Sequence, residues 1–126
     1  MYTDGACRGN PGYSSIGVVF FDNGVEIANI SEAIGVTTNN IAEYTALLRG
    51  LDYALKQGYT ELSVKADSEL MIKQLKGEYK VKNAGLKPLF IEAKTLAAKF
   101  KSISYSHVMR EDNKRADQLA NMALDA

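Results

Sequence analysis

The chain has 126 residues, 46% hydrophobic and 24% charged, with 15 Lys and Arg balancing 15 Asp and Glu. At roughly 150 residues per domain this predicts one domain over residues 1–126, and the composition excludes a disordered tail, a collagen and a coiled coil. No apolar run reaches the ~18 residues of a membrane span, Met1-Tyr2-Thr3-Asp4 is not a basic-then-apolar signal peptide, and the single Cys7 excludes an internal disulfide or a Cys-rich zinc site. The expected compartment is therefore a reducing cytoplasm, with no membrane contact.

Zero net charge, taken alone, argues against a nucleic-acid partner, which usually selects a basic excess. The sum hides a pattern. Residues 1–72 carry a net −5, residues 73–101 a net +6 from eight lysines against Glu78 and Glu92, and residues 102–126 a net −1. Such asymmetry marks a candidate interaction side.

In chain order, Asp4 is read as the end of a first strand, and Gly9-Asn10-Pro11-Gly12 is a turn cluster. Ser15 to Asp22 is a continuous apolar run of strand length, expected to be buried on both faces. Asn23-Gly24 is a type I′ hairpin signal, and Val25 to Ile34 reads as the return strand with Val25, Ile27 and Ile30 inward. Thr37 to Asn40 opens a helix whose apolar stripe is Ile41, Tyr44, Leu48, Leu51 and Leu55, closed by Gly58. Alternation of Leu62, Val64 and Ala66 with Ser63 and Lys65 predicts a strand over 61–66. Asp67-Ser68 starts a short helix to Leu75, and residues 76–88 form a lysine-rich link. Leu86, Leu89, Phe90, Ala93, Leu96, Ala97 and Phe100 mark another helix, and Ile103, Tyr105 and His107 a last strand. Asp112 or Asn113 is expected to cap a final helix carrying Ala116, Leu119, Ala120 and Ala123. The order β-β-β-α-β-α-α-β-α predicts an α/β fold. Its mixed sheet has three antiparallel strands and the remainder parallel by right-handed crossovers, flanked by helices.

Four acids fall at element ends. Asp4 and Asp67 end strands, while Glu43 and Asp117 lie in the first turns of helices, so all four can converge where such sheets gather ligands. Clustered carboxylates cannot all stay ionised without cations. An all-oxygen set suits Mg²⁺ or Mn²⁺, and two such ions ~4 Å apart would activate a water and stabilise the leaving oxygen of a phosphodiester. Each acid also has an ordinary structural reading. Asp4-Gly5 fits a turn, Asn40 to Glu43 a capping box, Asp67 or Ser68 an N-cap, and Asp117 a solvated helix position beside Arg115.

The strings that carry these acids resemble a known family. Tyr2-Thr3-Asp4-Gly5-Ala6-Cys7-Arg8-Gly9-Asn10-Pro11-Gly12 resembles the first-strand motif of type 1 ribonuclease H, and Thr37-Thr38-Asn39-Asn40-Ile41-Ala42-Glu43-Tyr44 its first-helix motif. Lys65-Ala66-Asp67-Ser68-Glu69-Leu70 resembles the fourth-strand motif, and Arg110 to Asp117, with His107 ten residues before the acid, the last. The likeness runs over nearly the whole chain, with the motifs in order. It implies a ribonuclease H-like fold and an endonuclease that cuts the RNA strand of an RNA–DNA hybrid by two-metal-ion catalysis, leaving 5′-phosphate and 3′-hydroxyl ends.

The resemblance further implies Asp4, Glu43, Asp67 and Asp117 as ligands of two Mg²⁺ ions, with Mn²⁺ as a substitute. It places Asn10 and Asn40 at the RNA strand's 2′-hydroxyls, Thr38 at a DNA-strand phosphate and Asn39 at bases or sugars, with Cys7 and Arg8 beside the backbone-binding turn. His107 is read either as a proton shuttle or product-release group, or as an ordinary histidine at a strand end. A monomer is expected, and double-stranded RNA stays open as a second substrate.

Three features depart from the family's usual pattern. Only three residues precede Asp4, which predicts a thin centre to the sheet. No basic protrusion rich in Lys, Arg and Trp follows the second helix, and the chain has no Trp; Lys76, Lys80, Lys82 and Lys87 either replace its charge or form a solvated face. No additional hybrid-binding domain precedes the motifs. Two rival readings follow: a binding module or piece of a larger polypeptide such as a reverse transcriptase, and a metal nuclease of the integrase or resolvase kind. The latter typically presents three acids.

Overall fold

Turn chemistry and apolar alternation set the elements. The computed structural model describes Met1–Ala126 throughout. Strands β1 (Tyr2–Arg8), β2 (Gly12–Asp22) and β3 (Val25–Thr37) lead into helix α1 (Asn39–Lys56). Then come β4 (Glu61–Ala66), α2 (Glu69–Leu75), α3 (Lys87–Ala97), β5 (Ser102–His107), a 3₁₀ turn (Arg110–Asp112) and α4 (Lys114–Asp125). The strands form one sheet in the order β3-β2-β1-β4-β5. β2 pairs antiparallel with both β1 and β3, while β4 runs parallel to β1 and β5. The mixed α/β sheet and the element order agree with the sequence reading. No helix is long and apolar enough to cross a membrane.

Local signals act where expected. Asn23 and Gly24 have φ of 51° and 80°, the left-handed pair a type I′ turn requires. α1 opens within Thr37–Asn40 as expected, but its cap is Thr38, not Asn40: Thr38 Oγ1 accepts from the Ile41 N–H at 3.3 Å, while Ser68 caps α2 by accepting from Met71 at 3.3 Å. Gly58, at φ 80°, ends α1.

β2 is buried from Ser14 to Phe20 and divides the interior. Ile16, Val18 and Phe20 join Tyr44, Leu47 and Leu51 of α1 in the main core, while Val19 packs with Ala116 and Leu119 of α4 on the opposite face. Full burial of each such large side chain contributes about 1.5–3 kcal/mol. The α1 stripe is wider than the five residues expected. Leu47, Ala42, Ala46 and Ala54 are its buried centre with Tyr44 and Leu51, while Ile41, Leu48 and Leu55 are half-buried at its margins.

Three expectations need correction. Val25 and Ile27 are not inward but 63% and 48% exposed. A bulge opposes Phe20 to Ala28 and Phe21 to Glu26, passing over Ile27. That extra residue reverses the alternation, so the residues of β3 that reach the core are Ala28, Ile30 and Ile34. Asp4 does not end β1, because the strand continues to Arg8 as an antiparallel ribbon with β2. The parallel neighbour is what stops: β4 is in register with β1 only at Tyr2–Lys65 and Thr3–Ala66, so the sheet centre is thin and Asp4 lies where β1 and β4 part. Glu43 is the fifth residue of α1, beyond its first turn.

Both helices that carry acids sit unusually close to the sheet. A Cβ on Gly5 would lie 2.5 Å from the Ala42 carbonyl carbon and the Glu43 nitrogen, and one on Gly17 2.1 Å from the Ala116 oxygen. Ser15 and Ser31 add two pins, donating their hydroxyls to the Ala120 and Leu119 carbonyls of α4, each at 2.5 Å. Gly5→Ala and Gly17→Ala are each expected to lower the unfolding free energy by about 1–3 kcal/mol. A reduced urea midpoint at unchanged m-value would show it.

Candidate active site

The site begins at the fork between β1 and β4. β1 carries Asp4 on the strand and Gly5 after it. The Gly5 N–H donates to Glu43 Oε1, which draws the α1 acid onto the strand. The capping-box reading of Glu43 therefore fails: Thr38 is the cap, and the Glu43 carboxylate turns to β1 instead. Asp67 follows the last residue of β4, and Ser68 takes the capping role, which leaves the Asp67 side chain free of it. A buried hydrogen bond from Tyr44 Oη to Gln74 Oε1 at 2.6 Å ties α1 to α2 beneath this junction.

Carboxylate oxygens of Asp4, Glu43 and Asp67 all lie within 4.8 Å of one another. Asp117, in the first turn of α4, stands outside that trio but lines the same crevice and lies near enough to Asp4 to help raise its carboxyl pKa. Asp4 and Glu43 are buried, at 7% and 6% exposure. None of the four acids has a Lys or Arg partner among the ion pairs of the structure. Burial first, then the charges of Glu43 and Asp67 and the contact with Asp117, raise the Asp4 carboxyl far above the ordinary range. Burial also raises Glu43, against the lowering effect of the Gly5 N–H. Uncompensated buried carboxylates of this kind need protons or cations. A purely oxygen donor set with no imidazole or thiolate fits a hard divalent ion.

The acids line an open crevice of about 650 Å³ shared with Gly5, Cys7, Arg8, Asn39 and His107. His107 arrives by register: β5 places it opposite Ala66, the residue before Asp67. It is exposed at the strand end. Asn10, Thr38 and Asn40 lie outside this lining. Asn10 is still coupled to it, since its Oδ1 accepts from the Asn39 N–H at 3.1 Å. Asn40 is exposed on the first turn of α1. The Cys7 sulfur lies against the carbonyl oxygens of Gly9 and Thr37, and Arg8 forms an ion pair with Asp125 at the end of α4.

The polar lining residues Glu69, Arg110 and Asn121 had no expected role, nor did the apolar Ala6, Met109 and Leu124. Glu69 and Arg110 stand inside strings already singled out around Asp67 and Asp117. Asn121 was findable from helical spacing, being four residues after Asp117, whose carbonyl accepts its Nδ2 at 3.0 Å. Glu69 also pairs with Lys73 at 2.8 Å, and Lys73 lies 4.9 Å from the centroid of the Tyr79 ring, so the lysine-rich link begins at the crevice edge.

The family model described as reverse transcriptase-like matches residues 2–123. A bifunctional protein of Mycobacterium tuberculosis is 46% identical over 98% of the chain, which spans 34% of that protein's length. A ribonuclease HI of Halobacterium salinarum is 41% identical over 98% of the chain, which covers 63% of it. The chain thus spans between a third and two thirds of these curated relatives. The crystal structure of ribonuclease H1 from Halobacterium salinarum superposes with a TM-score of 0.95 at 41% identity, over 98% of this chain and 95% of that one. Another ribonuclease H1, solved in complex with an RNA/DNA hybrid, superposes at 0.93 with 42% identity, over 98% and 94%.

The raised carboxyls fix the sign of a pH effect. A carboxyl whose folded pKa exceeds its unfolded value contributes stability that is fully present below the unfolded pKa. That stability is lost as pH rises towards the folded value. In EDTA the protein is therefore expected to melt at lower temperature at about pH 8 than at about pH 5, and Asp4→Asn to flatten that slope and raise the melting temperature at the upper end. Thermal melts across this range check it; an identical slope in the variant would remove Asp4 as the cause.

Proposed function

The chain belongs to the type 1 ribonuclease H family, and from that premise we propose that residues 1–126 act as one domain that hydrolyses the RNA strand of RNA–DNA hybrids. It works as a cytoplasmic, monomeric endonuclease and leaves 5′-phosphate and 3′-hydroxyl ends. The observation that carries this reading is the convergence of Asp4, Glu43 and Asp67 within 4.8 Å, with no cation of the chain to balance them. Asp4, Glu43, Asp67 and Asp117 would hold two Mg²⁺ ions, with Mn²⁺ able to replace them. When bound, such ions supply the positive charge that acidifies an attacking water and stabilises the leaving oxygen.

The chain's own groups do the remainder. The Gly5 N–H holds Glu43 in place. His107 moves a proton at the exposed edge of the crevice, the role an imidazole can fill by accepting at one ring nitrogen and donating at the other. Thr38 accepts the Ile41 N–H, yet a hydroxyl can accept and donate at once, so its O–H is free for a DNA-strand phosphate at the start of α1. Asn10 uses its oxygen on Asn39 and keeps its NH₂ for a 2′-hydroxyl, as Asn40 does, and the 2′-OH is what separates RNA from DNA. Asn39 meets bases or sugars. Cys7 and Arg8 shape the backbone-binding turn, with Arg8 oriented by Asp125. Double-stranded RNA also displays 2′-hydroxyls and is the second candidate substrate.

A labelled hybrid incubated with Mg²⁺, Mn²⁺ or EDTA tests the reading. Wild type is expected to cleave only the RNA strand and only with metal, and Asp67→Asn to lose about 100-fold or more. Equal cleavage by the variant would remove the site assignment, and hybrid binding without any cleavage would favour a binding module. The eight lysines of residues 73–101 predict steep salt dependence, since each neutralised phosphate adds roughly −0.9 to the logarithmic slope. Hybrid affinity of the uncleaving variant should fall at least about tenfold between ~50 and ~200 mM salt. A flat response would refute this electrostatic contribution.

A further inference from the structure

Asn113 occupies the N-cap position of α4 but caps nothing: its side chain makes no bond to the helix's first turn. It is 1% exposed. Its Nδ2 instead crosses to the sheet and donates to the Thr3 carbonyl at 2.9 Å. Its own carbonyl accepts the Asp117 N–H at 3.1 Å. One buried residue therefore grips the neighbour of Asp4 with its side chain and the amide of Asp117 with its backbone. Its Oδ1 and the nearby buried Thr3 Oγ1 have no hydrogen-bond partner. Buried polar atoms are nearly always paired, and one kept unpaired calls for an explanation other than stability.

We propose that Asn113 is a positioning residue that sets α4 against β1 so that Asp117 meets Asp4; this rests on the ribonuclease reading of the same site. The remaining contacts do not fix this turn on β1: Arg115 pairs with Glu26 at 2.7 Å, but Glu26 belongs to β3. Ala116 and Leu119 pack on Val19, and apolar contacts are non-directional and tolerate a slide or a small rotation of the helix. A hydrogen bond to one carbonyl beside Asp4 does not. The Ser15 and Ser31 pins act at Ala120 and Leu119, on the far side of Asp117 from Asn113. Without Asn113 the first turn of α4, which bears the acid, has no polar fastening to β1.

The test compares Asn113→Ala and the space-filling Asn113→Leu in wild type and in Asp117→Asn. Two readouts are used: steady-state hybrid cleavage with Mg²⁺, and Mn²⁺ affinity by electron paramagnetic resonance. In wild type, both variants are expected to lower kcat about tenfold or more with KM within about twofold, and to weaken Mn²⁺ binding. In Asp117→Asn the same changes should cost less than about twofold further, because residues acting through one another are non-additive. Equal losses in both backgrounds would overturn the proposal, as would wild-type kcat and Mn²⁺ affinity in folded variants. Loss of the folded state in both variants would also overturn it and assign Asn113 to stability alone. Should the wild type not cleave hybrid, the ribonuclease reading falls, while a loss of Mn²⁺ affinity that depends on Asp117 would still uphold the positioning role.

Discussion

No side chain fits between helix and sheet at Gly5 or Gly17, and the rest of the molecule depends on that. At Gly5 the α1 backbone lies where a Cβ would be, and at Gly17 the α4 backbone does. A helix held off by ordinary side chains stands farther from the sheet, and carboxylates mounted on it would have to reach farther to meet those on the strands. Here the two helices descend onto β1 and β2 from opposite faces. Short side chains then suffice: Glu43 reaches the Gly5 amide, and Asp117 comes into the crevice beside Asp4. The same closeness removes water from the acids, so the packing that assembles the site also produces its electrostatic strain.

That strain is concentrated, not spread. The ion pairs of the molecule, such as Arg49–Glu32 and Arg115–Glu26, lie on exposed or half-exposed surfaces, where each contributes little. The buried acids have none. A protein selected for stability alone would pair them or replace them with apolar groups. Their retention at the one place where two strands part and two helices press closest is an argument for a cation-dependent function, and it stands independently of any likeness to other proteins.

Much of this was legible in the sequence, because the signals were local. Asn23-Gly24 specifies its turn, Ser68 is one of the two caps offered for α2, and Asp67 and Asp117 fall at the element junctions expected of them. Longer-range causes were not legible. The inward face of β3 depends on a bulge set by its pairing with β2, and no periodicity within β3 reveals it. The position of Asp4 depends on where β4 ends, not on anything in β1. Asn113 has the residue type of a helix cap, and only the nearness of Thr3 diverts its amide to the sheet. Glu43 shows the same diversion, from its own helix to Gly5. In each case a tertiary partner outcompeted the local bond that the sequence favours.

The neutral total charge takes on a different meaning once positions are known. Four of the 15 acids converge on the crevice, and the formal charge with two divalent ions bound there would be +4. All but one of the eight lysines of residues 73–101 are exposed; the exception, Lys73, is half-buried between Glu69 at the crevice edge and the ring of Tyr79. A polyanion entering the crevice past Glu69 meets Lys73 beside the acids. With metal bound, the repulsion that four bare carboxylates would exert on a phosphate is offset, and the lysines then steer without opposition. Net charge near zero is thus what remains when a lysine-rich segment and an acidic cluster able to hold a metal are built into one small chain, and it carries no argument against a nucleic-acid partner.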